Sequence, residues 1–224
     1  LFVEPNGGVA HSQISSIPQR DGYNLFVSKT HDLPEHASSM GYVTLHEMFH
    51  IFQTSHYSTD SYDEQRMLNG RFSGDNPEDD VPWWNEGTAV YFSYIDYART
   101  INDMSWFKDQ MYCALLCEKD RYGNKSRLEI FKESGVKLNN ITFSGNPEPV
   151  DKQIAYEIGA WFIAYLVNEH GEDKILDIYS LYDEFGFEKS FEMQFGKDYR
   201  TYLEEFYEFL DLPEDQLMEI LSSK

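Results

Sequence analysis

Two apolar helical stretches, each carrying polar groups that an apolar interior does not tolerate unpaired, constrain this chain more than anything else in it. The first is Met40-Gly-Tyr-Val-Thr-Leu-His-Glu-Met-Phe-His-Ile-Phe-Gln-Thr54. Residues four apart on a helix lie one above the other, so His46 and His50 offer both imidazoles to a single ion on one face. Glu47 sits about 100° round the axis from His46. That is close enough to address a water beside the ion without binding the ion itself. Tyr42, Val43, Leu45, Phe49, Ile51 and Phe52 make most of the remaining circumference apolar, which predicts a buried helix. Buried histidines flanking a glutamate need a partner that offsets their desolvation, and a divalent cation is such a partner.

The second stretch covers residues 82–96, Pro-Trp-Trp-Asn-Glu-Gly-Thr-Ala-Val-Tyr-Phe-Ser-Tyr-Ile-Asp, and reads as another buried helix opened by a proline in its first turn. Glu86 is its only acidic residue before Asp96, set among Trp83, Trp84, Ala89, Val90, Tyr91 and Phe92. A lone carboxylate in such surroundings must be paired or ligate a metal. Catalytic zinc takes three protein ligands and keeps one position open. His46, His50 and Glu86 supply that count, so one Zn2+ per chain is expected.

A His-Glu-x-x-His helix followed by Asn-Glu-Gly-x-Ala on a second helix resembles the gluzincin zinc metallopeptidases, the thermolysin-like clan, and especially the catalytic domain of the aminopeptidase N family. Residues 51–85 separate the two motifs here, a longer interval than that family's, consistent with a polar insertion between the helices. Tyr156-Glu157-Ile158-Gly159 resembles the family's Tyr-Glu-Lys-Gly segment, with isoleucine in place of the lysine. Residue chemistry by itself leaves Tyr156 as one of sixteen tyrosines and a core side chain. The resemblance implies that its hydroxyl donates a hydrogen bond to the oxyanion of a tetrahedral intermediate, with Glu47 as general base.

The implied reaction is zinc-dependent hydrolysis of a peptide bond in a peptide or protein substrate. The family binds a free amino terminus with a Gly-x-Met-Glu-Asn segment upstream of the zinc helix. None precedes His46, which favours an endopeptidase over an aminopeptidase. The alternatives are hydrolysis of a non-peptide electrophile at the same site, and a zinc-stabilised binding module without turnover. Retention of Glu47 and Tyr156 speaks against the last, because a purely structural site needs neither. The implied architecture is α+β and mostly helical. A small β-containing N-terminal lobe and a helical C-terminal lobe, divided near residue 100, flank a zinc cleft in one catalytic domain over residues 1–224.

At 224 residues and 41% hydrophobic, the chain can bury a substantial core. It has no eighteen-residue apolar run, so no membrane span is expected. Lys and Arg total 18 against 39 Asp and Glu, a net charge of −21. Such a chain repels phosphate backbones, which excludes nucleic acid as the expected partner. The same balance suits an extracellular or cell-surface setting, and equally a merely well-solvated surface. The chain opens on Leu1 with no basic and apolar leader, as expected of a mature form or a fragment. Oligomeric state is not legible.

Residues 1–21 read as loop, residues 23–28 as a strand, and His31 and His36 as solvated loop histidines. A strand just before a zinc helix is either a peptide-binding edge or an ordinary core strand. Asp75, Glu78, Asp79 and Asp80 match no calcium loop and read as a solvated acidic turn. Cys113 and Cys117 read as small core residues, since a bridge between positions four apart on a helix is strained. Helices are expected over 103–122 and from residue 153 to a stop at Gly171, a weak strand over 137–143, and short helices after residue 172.

Overall fold

The computed structural model describes residues 11–14, 23–26 and 37–221, with side chains from residue 41 onward. Two four-residue strands, β1 (His11–Ile14) and β2 (Tyr23–Phe26), pair antiparallel with His11 opposite Phe26. Helices follow in the order α1 (Ala37–Thr54), α2 (Tyr62–Leu68), α3 (Asn85–Ile101), α4 (Met104–Leu115), α5 (Arg127–Ser134), α6 (Lys152–His170), α7 (Glu172–Asp177), α8 (Tyr182–Phe195), α9 (Tyr199–Leu210) and α10 (Glu214–Glu219).

The expected α+β architecture is corrected here. The described chain is mostly helical, and a ribbon of two four-residue strands lying against α1 builds no N-terminal lobe. A lone two-stranded hairpin has too little buried face to form a layer of its own. Residues 11–14, read as loop, form β1. The stretch 137–143, read as a weak strand, is a single 3-10 turn (Leu138–Asn140). His31 and His36 lie outside the described residues.

Helix α3 is central, packed between α1 on one side and α6 on the other. Its residues from Asn85 to Ser93 are all buried. The α3–α6 crossing is close because glycines meet there. A Cβ on Gly87 would lie 2.6 Å from the Gly159 carbonyl carbon, and a Cβ on Gly159 would collide with the Trp83 carbonyl oxygen. Around this crossing runs one apolar core from Val81 to Leu221, with Trp83, Trp84, Trp161, Phe162, Phe191 and Phe206 among its fully buried members. No helix among the described residues is long and apolar enough to cross a membrane.

Helix α1 is less enclosed than its composition suggests. Its apolar residues Tyr42, Leu45, Phe49 and Phe52 are half-buried and Met48 is exposed, whereas Glu47 and Gln53 are buried. The cysteines also differ from expectation, because Cys113 and Cys117 form a disulfide. Helix α4 ends at Leu115, so Cys117 lies on the turn beyond it rather than one helical turn along, and the two Cα atoms approach to 4.5 Å.

Candidate metal centre

Helix α1 carries His46, Glu47 and His50, and the first turn of α3 carries Glu86. The packing of these two helices brings three ligand-type atoms together. His46 Nε2 and His50 Nε2 each lie 3.2 Å from Glu86 Oε2, and they lie 3.1 Å from one another. His46, His50 and Glu86 therefore form a group that could hold a metal ion, with Glu86 buried and the histidines half-buried. It is the only such His/Cys/Asp/Glu group among the described residues.

Protons do not satisfy this triangle. Each imidazole N–H points at one acceptor. Protonating both nitrogens serves the two contacts to the carboxylate but leaves two N–H groups facing each other across 3.1 Å. A cation satisfies all three contacts at once. Three donors occupying one face of a zinc tetrahedron with bonds of about 2.0 Å are about 3.3 Å apart, close to the spacing seen here. The donor set, two imidazoles and a carboxylate, suits zinc and related divalent ions.

The electrostatics agree with the geometry. Burial opposes a charged His50, yet the Glu86 charge and hydrogen bond outweigh it and, with Gln53 and Glu47, raise the imidazole to about 9. Burial would raise Glu86, but the charges and hydrogen bonds of the two histidines hold it well below the usual carboxylate range. His50 and Glu86 thus form an ion pair in the folded chain.

Glu47 is 7% exposed, between the two histidines on α1, and its charge acts on both His50 and Tyr156. Tyr156 lies in the first turns of α6, edge-on to Phe143 with centroids 6.3 Å apart. Burial first, then the Glu86 and Glu47 charges, raise its hydroxyl well above the ordinary phenol range, with Arg71 opposing. Tyr156 therefore stays an O–H donor at any working pH. Glu86, Glu47 and Tyr156 thus belong to one electrostatic neighbourhood with the two histidines.

A second set of polar residues stands behind the triad. Gln53 is fully buried, with its Oε1 2.7 Å from His50 Nδ1. Its Nε2 donates to the Asn85 carbonyl at 2.9 Å and to Thr88 Oγ1 at 2.7 Å, and lies 3.1 Å from the Tyr179 hydroxyl. Asn85 Nδ2 reaches Glu86 Oε1 at 3.5 Å and Asn69 donates to Asn85 Oδ1. Sequence reading missed these residues. A signal for Gln53 existed, a polar side chain three residues past His50 on an apolar helix. Tyr179, 126 positions from Gln53, offers none.

The acidic turn is only partly the solvated loop expected of it. Asp80 is bound by Arg66 and, at 2.8 Å, by Arg71, whose guanidinium lies 4.4 Å over the Phe143 ring. Asp75 is bound by Asn140 Nδ2 at 2.7 Å. No known protein family, curated protein or solved structure matches this chain.

Proposed function

We propose that the chain is a zinc-dependent peptide hydrolase in which His46, His50 and Glu86 hold one Zn2+, Glu47 is the general base and Tyr156 is the oxyanion donor. The single observation that carries this reading is the 3.1–3.2 Å triangle of His46 Nε2, His50 Nε2 and Glu86 Oε2, closed by two helices whose sequences resemble the two gluzincin zinc motifs. Three protein ligands leave a fourth corner for water or substrate, which is the pattern of catalytic rather than structural zinc. When bound, the ion supplies Lewis acidity, polarising a carbonyl and lowering the pKa of a water.

The chain's own residues do the rest. Glu47, buried beside the histidines, takes the proton of the attacking water and delivers it to the departing amide nitrogen. The Tyr156 hydroxyl, held protonated, donates to the oxygen on which negative charge develops, a role that contributes on the order of 3 kcal/mol to the transition state. Internal cleavage is favoured over trimming of a free amino terminus, since the family's amine-binding segment has no counterpart before His46.

The test is a peptide library read by mass spectrometry, with zinc measured on the same samples. Glu47→Gln is expected to bind zinc like the wild type and to lose turnover by about 100-fold or more. Tyr156→Phe is expected to lose about 100-fold in kcat with KM little changed. Full cleavage by Glu47→Gln would exclude it as the base. Zinc-loaded wild-type protein that cleaves no peptide would favour the binding-module alternative.

A further inference from the structure

The hydrogen bonds around Gln53 run in one direction only, and that direction decides which nitrogen of His50 is free. Gln53 Nε2 reaches the Asn85 backbone carbonyl at 2.9 Å, and a carbonyl only accepts. Turning the amide over would set Gln53 Oε1 against that carbonyl and its NH2 against His50 Nδ1. The orientation seen is therefore the one that pairs every group, and it makes Gln53 Oε1 an acceptor for His50 Nδ1–H at 2.7 Å. Thr88 settles the next position. Its hydroxyl donates to a backbone carbonyl, Trp84 O at 2.8 Å or Asn85 O at 3.0 Å. Its oxygen then accepts from Gln53 Nε2 at 2.7 Å and from the Tyr179 hydroxyl at 2.9 Å.

Every donor in this set has an acceptor, and all of it is buried. Gln53, Thr88 and Tyr179 are each 0% exposed. A buried polar network that is fully paired in only one arrangement is rigid, because any other arrangement leaves an unpaired group in the core. The consequence falls on the triad. With Nδ1–H held by Gln53, Nε2 is the nitrogen left to exchange its proton for a cation, and Nε2 is the atom 3.2 Å from Glu86 Oε2. The relay also links distant parts of the chain. Gln53 is on α1, Thr88 on α3, and Tyr179 on the 3-10 turn Ile178–Leu181 between α7 and α8. That tyrosine packs its ring against Phe49 and Phe52, with centroids 6.1 and 5.5 Å away.

We infer that Gln53 is a positioning residue: through a one-way relay with Thr88 and Tyr179 it holds His50 as the Nδ1–H tautomer and so sets the metal affinity of the triad. The inference rests on the reading of His46, His50 and Glu86 as a metal site. It adds that a tyrosine in the C-terminal half, touching neither ligand nor ion, tunes that site. Binding linkage is reciprocal, so a loaded site in turn tightens the Tyr179 segment.

Zinc affinity, measured by competition with a chromophoric chelator, tests this on the full chain. Gln53→Met keeps length and volume and removes the hydrogen bonds, and is expected to weaken zinc binding about 10- to 100-fold. Thr88→Val and Tyr179→Phe remove single hydroxyls and are expected to weaken it severalfold, whereas Thr88→Ser, which keeps the hydroxyl, restores wild-type affinity. These two also carry the test should Gln53→Met fail to fold. A merely structural role would lower thermal stability and leave affinity alone. The second readout is the His50 Nδ1–H proton resonance of the zinc-loaded protein, expected sharp in the wild type and broadened by solvent exchange in Gln53→Met. Unchanged affinity and an unchanged resonance in the variants overturn the relay while leaving the metal site standing. A wild-type chain that takes up no zinc overturns both.

Discussion

At His50 a proton and a metal ion held by the triad would compete for one nitrogen. The imidazole, raised to about 9 in the folded chain, titrates near 6.5 when unfolded. A raised folded pKa stabilises the protein fully below the unfolded value, and that contribution is lost as pH rises through the folded one. The metal-free protein is thus expected to lose thermal stability between pH 6.5 and about 9. Over the same range a cation meets less competition, so stabilisation by zinc should grow. Melting curves with chelator and with zinc across this range check both trends, and parallel curves would show that His50 is not the shared site. Below pH 9 zinc must also displace the His50 proton. Titrations at neutral pH in buffers of different ionisation enthalpy should report release of about one proton or more. The grouping of His46, His50 and Glu86 was legible in the sequence because residues four apart on a helix, and a lone glutamate on an apolar one, are local patterns. The disulfide was misread for a related reason: where α4 stops is set by its neighbours, and spacing alone put Cys117 on the helix.

Among the helices, the α3–α6 crossing fixes where Glu86, on α3, stands relative to Tyr156, on α6. Gly87 and Gly159 allow that crossing, with backbone so near that neither position has room for a methyl group. Gly87→Ala or Gly159→Ala must push the helices apart and is expected to cost about 1–3 kcal/mol or more in chemical denaturation, because backbone cannot move aside as a side chain can. Wild-type stability in both variants would mean that the crossing is looser than described. Helix α5 makes a smaller case. Ser126 and Glu129 close a capping box at its start, so Ser126→Ala should cost about 1 kcal/mol. The Ser-x-x-Glu signature is present in the sequence as Ser-Arg-Leu-Glu. The misread strand at 137–143 has a different cause. β-propensity describes fit to a pleated neighbour, and residues 138–140 instead turn under Tyr207, whose hydroxyl accepts from Leu138 N at 3.0 Å. The helices α1, α3 and α6 were legible because their apolar patterns are long. The stop of α6 at Gly171 was legible too, whereas the helix expected over 103–122 ends at Leu115 as α4.

Across the whole molecule, a metal held by the triad should act as a clasp between α1 and the core. A ligand that binds only the folded state at about 100 times its Kd adds about 2.7 kcal/mol. For a chain of this size that corresponds to a rise in Tm on the order of 5–10 °C. His46→Ala should show no such rise, and an equal rise would place the zinc elsewhere. This scale was the least legible. A β-containing lobe was expected from analogy with a family, whereas the chain spends its residues on one helical core from Val81 to Leu221. The Gln53–Thr88–Tyr179 relay needs contacts between positions far apart in sequence, which no local pattern reports. The account as a whole depends on two imidazoles and one carboxylate sharing an ion with a corner left open. Zinc K-edge X-ray absorption on the loaded protein tests that most directly. The expected spectrum has about four nitrogen and oxygen neighbours at about 2.0–2.1 Å, with the outer-shell scattering of two imidazoles. A sulfur shell near 2.3 Å, or the same spectrum from His50→Ala, would contradict it.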